Sequence, residues 1–179
     1  MPFLLRFTAW IDRLSHGAAW IGRWLVLICC VISAGNAVLR YAFSIGSNAW
    51  LEVQWYMFAG MVMLGGAYTL KANEHIRIDL FYGRLGRRGR LVVDLLGFTF
   101  FFFPLLALFT WLSWRFFLPS WLSREASNNV GGLLLWPAKL LLPVGFGLLL
   151  LQGLAEFIKR VGALRSAYDL DTHYEKPAQ

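Results

Sequence analysis

Charged residues are scarce in this chain, making up only 15% of its 179 residues, whereas 58% of the residues are hydrophobic. Soluble domains carry about 25% charged residues and are about half apolar. The apolar residues also lie in long blocks, which is typical of an integral membrane protein. The net charge of +7 would suggest nucleic-acid binding in a soluble chain. Here the basic residues lie at the ends of the apolar blocks, where membrane topology explains them better.

Cysteine is also scarce, since the only two are the neighbours Cys29 and Cys30 inside the first apolar block. A disulfide framework needs spaced, water-accessible thiols, and adjacent cysteines bridge only with strain. We therefore interpret both as small apolar packing residues. The three histidines lie outside the apolar blocks, which argues against a b-type haem held inside a helical bundle.

The centres of the apolar blocks contain no ionisable residue in the sequence. Such a residue costs about 2.5–3.5 kcal/mol at a helix centre on the insertion scale, and it marks a functional site by default. The charges that occur lie near the block ends, where side chains reach the headgroups; they are Glu52, Asp94, Arg115, Lys139 and Glu156. The sequence predicts no catalytic residue, no cofactor-binding residue and no metal ligand. We expect a chain that supports a partner.

Four apolar blocks are long enough to cross a hydrocarbon core of about 30 Å as helices. They predict an all-α membrane protein, a single membrane domain over residues 1–179, with spans at about 21–39, 53–70, 91–114 and 140–158. The connections are a loop over 71–90, a loop over 115–139 and a tail over 159–179. Pro104 is expected to kink the third span, and Pro137 after Trp136 fits a helix start.

The segment before the first span, residues 3–18, has an amphipathic pattern. Its apolar residues fall at helical spacing on one face, namely Phe3, Phe7, Trp10, Ile11, Leu14 and Ala18. This pattern predicts a separate helix lying in the membrane interface. A secretory signal is the alternative, but the following apolar block is longer than a signal core and no A-x-A-like site follows it. A retained anchor is favoured.

Lysine and arginine are distributed unevenly between the connections. The amino end to Arg23, the 71–90 loop and the tail from Lys159 hold thirteen of the 17, and the other two connections hold four. Cytoplasmic segments carry the excess of positive charge. Both termini and the 71–90 loop are therefore predicted to be cytoplasmic, and the 115–139 loop periplasmic.

The 71–90 loop contains residues that could form a site. Glu74, His75 and Asp79 could bind a metal or act in acid–base catalysis, but the nearby Lys71 and Arg77 oppose metal binding, and nothing completes a ligand set. We interpret the segment as a braced turn in which the acids pair with the bases. Asp94 could likewise pair with Arg90 four residues before it.

Two stretches resemble the small membrane subunit, the Q subunit, of TRAP transporters, the tripartite ATP-independent periplasmic carriers. The first is "SNAWLEVQWYMFAGMVMLGGAYTLKANEHIRIDLFYGRL" and the second is "SREASNNVGGLLLWPAKLLLPVGFGLLLLQGLAEFIKR". The resemblance covers roughly residues 10–165. Many members carry two consecutive acids before the second span, whereas this chain has only Glu52, followed by Val53 and Gln54. It therefore resembles a particular branch, and no substrate identity is carried across.

The resemblance implies a subunit of a sodium-coupled, binding-protein-dependent uptake system for organic acids in the bacterial inner membrane. Its partners would be the large membrane (M) subunit, which holds the substrate and sodium sites, and the periplasmic binding (P) protein. The small subunit would anchor the scaffold of the large subunit, need no cofactor of its own, and could help dock the binding protein. The alternative is a stand-alone four-helix membrane protein, either a thiol redox enzyme using Cys29 and Cys30 or a small homo-oligomeric carrier.

Candidate partner-contact or assembly residues lie on both sides of the predicted membrane. They are Trp50, Glu52, His75, Arg77, Asp79, Arg124, Glu125, Ser127, Trp136, Pro137 and Lys139. The charged ones on the periplasmic side have two interpretations. They are either solvated loop charges or contacts to the large subunit or the docking protein, where charged rims set approach and register.

Overall fold

In the computed structural model, residues 2–73 and 85–165 are described, and all regular secondary structure in this part of the chain is helical. The helices are α1 (Pro2–Phe43), α2 (Asn48–Ala72), α3 (Arg87–Gly97), α4 (Phe103–Ser123) and α5 (Trp136–Leu164). A π-helical segment, Phe98–Phe102, joins α3 to α4. Ala126 and Leu134 form an isolated β-bridge. The predicted all-α class is confirmed for these residues.

Three helical segments of the described chain are long and apolar enough to cross a membrane. They are Arg6–Phe43, Arg87–Ser123 and Trp136–Leu164. The second predicted span lies in α2, which is not among them. Its 25 residues would extend about 37 Å, but Gln54 and three glycines lower its mean hydropathy. The count of four crossings therefore stays a prediction.

The amino-terminal segment differs from the prediction, because α1 is one uninterrupted helix and residues 3–18 form its first turns. The buried face of these turns matches the predicted stripe only in part, since Ile11 and Ala18 are buried but Trp10 and Leu14 are not. Ile11 and Ser15 are each 1% exposed, while Trp10 is 58% exposed and Leu14 is 37% exposed. The physical reason is that Asp12 and Ser15 on this face find polar partners on α5. The first turns of α1 are therefore held against α5.

Pro104 perturbs the third predicted span as expected, and the structure shows how. A proline lacks the N–H that would bond to the carbonyl four residues earlier, and its ring clashes with that carbonyl. The π-helical segment directly before Pro104 widens the backbone where this conflict falls. The helix then continues beyond the predicted end near Trp114 to Ser123, and Arg124 follows in a left-handed conformation with φ 48°.

The central helix is α5, which packs against α1, α2, α3 and α4. It begins at Trp136 with Pro137 in its first turn, as predicted. It runs between the two ends of the bundle, which we call the terminal end and the loop end. The terminal end holds the amino-terminal turns of α1 and α3 and the carboxyl-terminal turns of α2 and α5. The loop end holds the residue 44–47 connection and the residue 124–135 connection.

A glycine is required where α5 approaches α2. A Cβ added at Gly145 would lie 2.6 Å from Met63 Cβ and 2.9 Å from the Met63 carbonyl oxygen. Both atoms are held in place by the backbone of α2, so the two helices would have to separate. Gly147, two residues further along the same helix, has nothing within 4 Å of such a Cβ.

We expect Gly145→Ala to destabilise the purified chain by about 1–3 kcal/mol, the usual range for overpacking. Gly147→Ala is the matched control, and it should be neutral or stabilising because alanine favours helix by up to about 1 kcal/mol over glycine. Thermal unfolding in detergent, followed by circular dichroism, measures both. Equal melting temperatures for the two variants would contradict the close approach of α2 and α5.

Candidate functional site

Three charged side chains lie on one face of the last turns of α5, because they are spaced three and four residues apart. Glu156, Lys159 and Arg160 are all buried. The Glu156 carboxylate joins the other two, since Oε1 lies 2.8 Å from Lys159 Nζ and Oε2 lies 2.7 Å from Arg160 Nη1. Glu156 is therefore the shared acceptor of two cations on its own helix.

Two further carboxylates come from other helices. Lys159 Nζ donates to both oxygens of Asp12 on α1 at 2.9 Å. Arg160 Nε donates to Asp94 Oδ2 on α3 at 3.0 Å. These contacts connect three helices at the terminal end of the bundle.

Two neutral side chains complete the arrangement. Gln152 Nε2 donates to Asp12 Oδ1 at 3.0 Å, and Ser15 Oγ donates to Gln152 Oε1 at 2.7 Å. We call the whole set the ion-pair network; its members are Asp12, Ser15, Asp94, Gln152, Glu156, Lys159 and Arg160. A buried charge is costly unless it is paired and hydrogen-bonded, and each charge of the network meets this condition.

The polar atoms of the ion-pair network are hydrogen-bonded mainly to one another, so few of them remain for a ligand. The Arg160 guanidinium also lies 5.1 Å from the centroid of the Phe98 ring, which covers it with an aromatic face. Among the described residues, no group of three His, Cys, Asp or Glu side chains could hold a metal ion. The network is suited to fixing helices relative to one another.

The sequence alone does not predict this network. Its pattern predicts that Glu156 and Asp94 lie at the headgroup level, and it places Lys159 and Arg160 in a tail that begins at 159. In the structure, α5 continues to Leu164 and both cations are buried. The available signal was the spacing of Gln152, Glu156, Lys159 and Arg160 along one helical face.

Glu52 anchors a second polar cluster at the loop end. It lies in the first turns of α2 and is 2% exposed. Its carboxylate accepts hydrogen bonds from Leu133 N at 2.7 Å, from Asn129 Nδ2 at 2.7 Å and from Ser127 Oγ. These bonds, the Leu133 amide first, lower the pKa of Glu52 below its ordinary value. The interpretation of Glu52 as a solvated loop charge is therefore wrong.

The loop that Glu52 holds is also tied at other points. Asn48 Nδ2 on α2 donates to the Val130 carbonyl at 3.3 Å, and Tyr56 Oη donates to the Leu134 carbonyl at 3.1 Å. Within the loop, Ser127 N donates to the Leu133 carbonyl at 2.8 Å. Residues 124–135 are thus fastened to α2 by three side chains of that helix, and we call this loop the clasped loop.

A salt bridge between Glu125 and Lys139 lies at the base of the clasped loop. The Lys139 ammonium lowers the pKa of Glu125. Lys139 Nζ also lies 4.4 Å from the centroid of the Phe116 ring on α4. Glu125 is 43% exposed as a side chain, so this pair is more open to solvent than Glu52.

The other candidate residues are distributed over both ends. Trp136 packs edge-on against Trp121 with ring centroids 4.5 Å apart, and Trp50 is 47% exposed on α2. His75, Arg77 and Asp79 lie outside the described residues, as does the predicted braced turn. The structure therefore brings Glu52 together with Ser127, and Glu125 together with Lys139. Whether these residues contact a partner stays a prediction.

The two cysteines are free thiols. Cys29 Sγ lies 3.8 Å from the Gln54 carbonyl oxygen on α2, which is the long, weak contact expected of a packed thiol. Cys30 is exposed on α1. Their separate surroundings agree with a packing role for Cys29.

Long apolar helices and internally satisfied charges together define a multi-pass helical membrane protein whose polar groups hold the chain together. The family model for the DctQ component of tripartite ATP-independent periplasmic transporters matches residues 28–163. The chain belongs to this family, and it is therefore a component of a transporter and not an enzyme. Comparison with curated proteins and with solved structures gives no match. The predicted family resemblance is confirmed, and the thiol redox alternative is excluded.

Proposed function

We propose that this chain is the small permease subunit of a sodium-coupled, binding-protein-dependent transporter for organic acids. Its partners are the large membrane subunit, which carries the substrate and sodium sites, and the periplasmic binding protein. The chain packs against the scaffold of the large subunit and anchors it, so that the mobile part moves against a fixed body. Membership of the DctQ family supports the assembly.

The observation that carries the scaffold role is the fixation of the bundle at both ends. The ion-pair network joins α1, α3 and α5, and Glu52 joins the clasped loop to α2. Buried charge pairs of this kind break only at a high cost. Helices joined in this way resist sliding past one another. A static scaffold needs this resistance, whereas an alternating-access carrier needs helices that move.

The clasped loop supports a role in docking the binding protein. Val130 at its tip is 90% exposed, and its backbone carbonyl is held by Asn48. A fixed loop loses less conformational freedom on binding than a flexible one. Arg124 and Glu125 beside it would supply charges that steer the encounter.

The proposed setting is the bacterial inner membrane, crossed four times, with α2 as one of the crossings and both termini in the cytoplasm. The uneven distribution of lysine and arginine supports this orientation, since the terminal end carries most of them. A topology reporter fused after Arg88 then gives a cytoplasmic signal. A periplasmic signal there overturns the orientation.

Co-purification tests the function directly. We expect the tagged chain, expressed with the membrane and binding-protein genes encoded beside it, to be isolated together with a much larger membrane protein. Sodium-driven uptake of an organic acid in vesicles should then need both membrane chains. Uptake by this chain alone, or isolation as a self-assembled oligomer without the larger protein, would contradict the scaffold role.

A further inference from the structure

An apolar groove lies between α4 and α5 in the half of the bundle nearer the loop end. Its volume is about 510 Å³, within the roughly 300–1,000 Å³ range of ligand pockets. Trp111 and Trp114 line it from α4, and Val144 and Leu150 line it from α5. The two tryptophans are about half exposed and Val144 is 41% exposed. The groove is therefore open on the outer surface of the helices.

The walls of the groove are apolar even where the residue type is polar. Thr110 is in the lining, but its Oγ1 donates to the Leu106 carbonyl at 2.7 Å and is thereby satisfied within the helix. Its methyl group remains to line the groove. A cavity without polar partners does not hold ordered water. An apolar chain is the occupant that these walls fit.

The groove extends along α5 for a length that suits such a chain. Its lining on α5 runs from Pro143 to Leu150, which at 1.5 Å per residue is about 10 Å along the helix. Trp114 marks the end nearer the clasped loop. A chain lying in the groove would run from that level toward the middle of the bundle, parallel to the helices.

A positive charge lies at the tryptophan end of the groove. The Arg115 guanidinium lies 5.2 Å from the centroid of the Trp111 ring, and no carboxylate among the described residues pairs with it. Lys139 is at a similar level, since it contacts Phe116, but Glu125 neutralises it. Arg115 therefore remains available to an anion. A guanidinium forms strong charge-assisted hydrogen bonds with phosphate oxygens.

We infer that this groove binds one phospholipid, with an acyl chain between α4 and α5 and the phosphate at Arg115. The pairing of an apolar groove with a cation at its interfacial end matches the two parts of that ligand. Tryptophan rings at the same level fit the interfacial region of a bilayer. The site goes beyond the proposed scaffold role and does not depend on it.

The test is lipid titration of the purified, delipidated full-length chain, followed by native mass spectrometry with dioleoyl phosphatidylglycerol as the probe. Arg115→Gln should weaken binding of the first lipid about tenfold, because it removes a charge-assisted bond. Val144→Trp should weaken it at least as much by filling the groove. With dioleoylglycerol, which lacks the phosphate, Arg115→Gln should bind like the unmodified chain.

Two matched controls separate a site from general lipid contact. Arg40→Gln removes an arginine elsewhere near the loop end, and Leu108→Trp adds an indole at an exposed position of α4 outside the lining. Both should leave the first lipid's affinity within about twofold. Equal weakening by Leu108→Trp would mean annular lipid only and would overturn the site. Unchanged lipid binding in Val144→Trp, with loss of co-purification with the large subunit, would assign the groove to that protein and also overturn it.

Discussion

Replacing Glu156 with alanine should destabilise the folded chain by about 3–5 kcal/mol, the range measured when one partner of a buried ion pair is removed. Glu156 is 6% exposed and accepts from both Lys159 and Arg160. Without it, each cation keeps a single carboxylate on another helix, and part of its hydrogen-bonding capacity stays unsatisfied at a largely buried position. The loss should appear in unfolding measured in mixed micelles and in the yield of folded chain from membranes.

Glu125→Ala is the matched control for this prediction. It also removes a carboxylate from a lysine salt bridge, but from the more exposed pair at the base of the clasped loop. Exposed pairs contribute little because water and salt screen them. If Glu156→Ala destabilised the chain no more than Glu125→Ala does, the ion-pair network would have no role in holding the helices.

The ion-pair network also shows why sequence reasoning reached its limit. Charges near the ends of apolar blocks are usually interfacial, so the sequence places Lys159 in a tail and does not indicate its contact with Asp12. Their contact spans 147 positions of sequence, and no local pattern carries that information. The same holds for the buried face of α1, which the apolar stripe predicts only in part. The partners on α5 decide it.

Other features were predictable because their causes are local. Pro137 fixes the start of α5 in its first turn, since its missing N–H is unpaired there in any case. Pro104 disturbs the third helix for the opposite reason, because it lies inside a hydrogen-bonded ladder. The role of Glu52 combines both kinds of information. The sequence places Glu52 just before the second span. Its burial depends on a loop more than seventy residues away.

Replacing Glu52 with glutamine should release the clasped loop while α2 stays helical. The carboxylate accepts from three donors on the loop, and a glutamine offers one oxygen and an amide group that donates. At least one of the three donors would then face another donor. We expect amide hydrogen exchange over residues 127–135 to become about tenfold faster or more, the change expected on losing a hydrogen bond to a charged acceptor.

Acidification should reproduce this release in the unmodified chain. The pKa of Glu52 is lowered in the folded state from its ordinary 4.5, so its contribution to loop stability is complete above that value. The contribution is lost as the pH falls through the lowered pKa, where the folded carboxylate takes up a proton. Exchange corrected for its intrinsic pH dependence should therefore accelerate below about pH 4.5 in the unmodified chain, and Glu52→Gln should show a much smaller acceleration.

Glu125 is the group that could produce a similar pH profile, because Lys139 lowers its pKa as well. Glu125→Gln removes that titration and leaves the three donors of Glu52 in place. The acid-induced acceleration over residues 127–135 should persist in this variant, since it arises from Glu52. Its disappearance in Glu125→Gln, together with its persistence in Glu52→Gln, would assign the fastening of the loop to the Glu125–Lys139 pair instead.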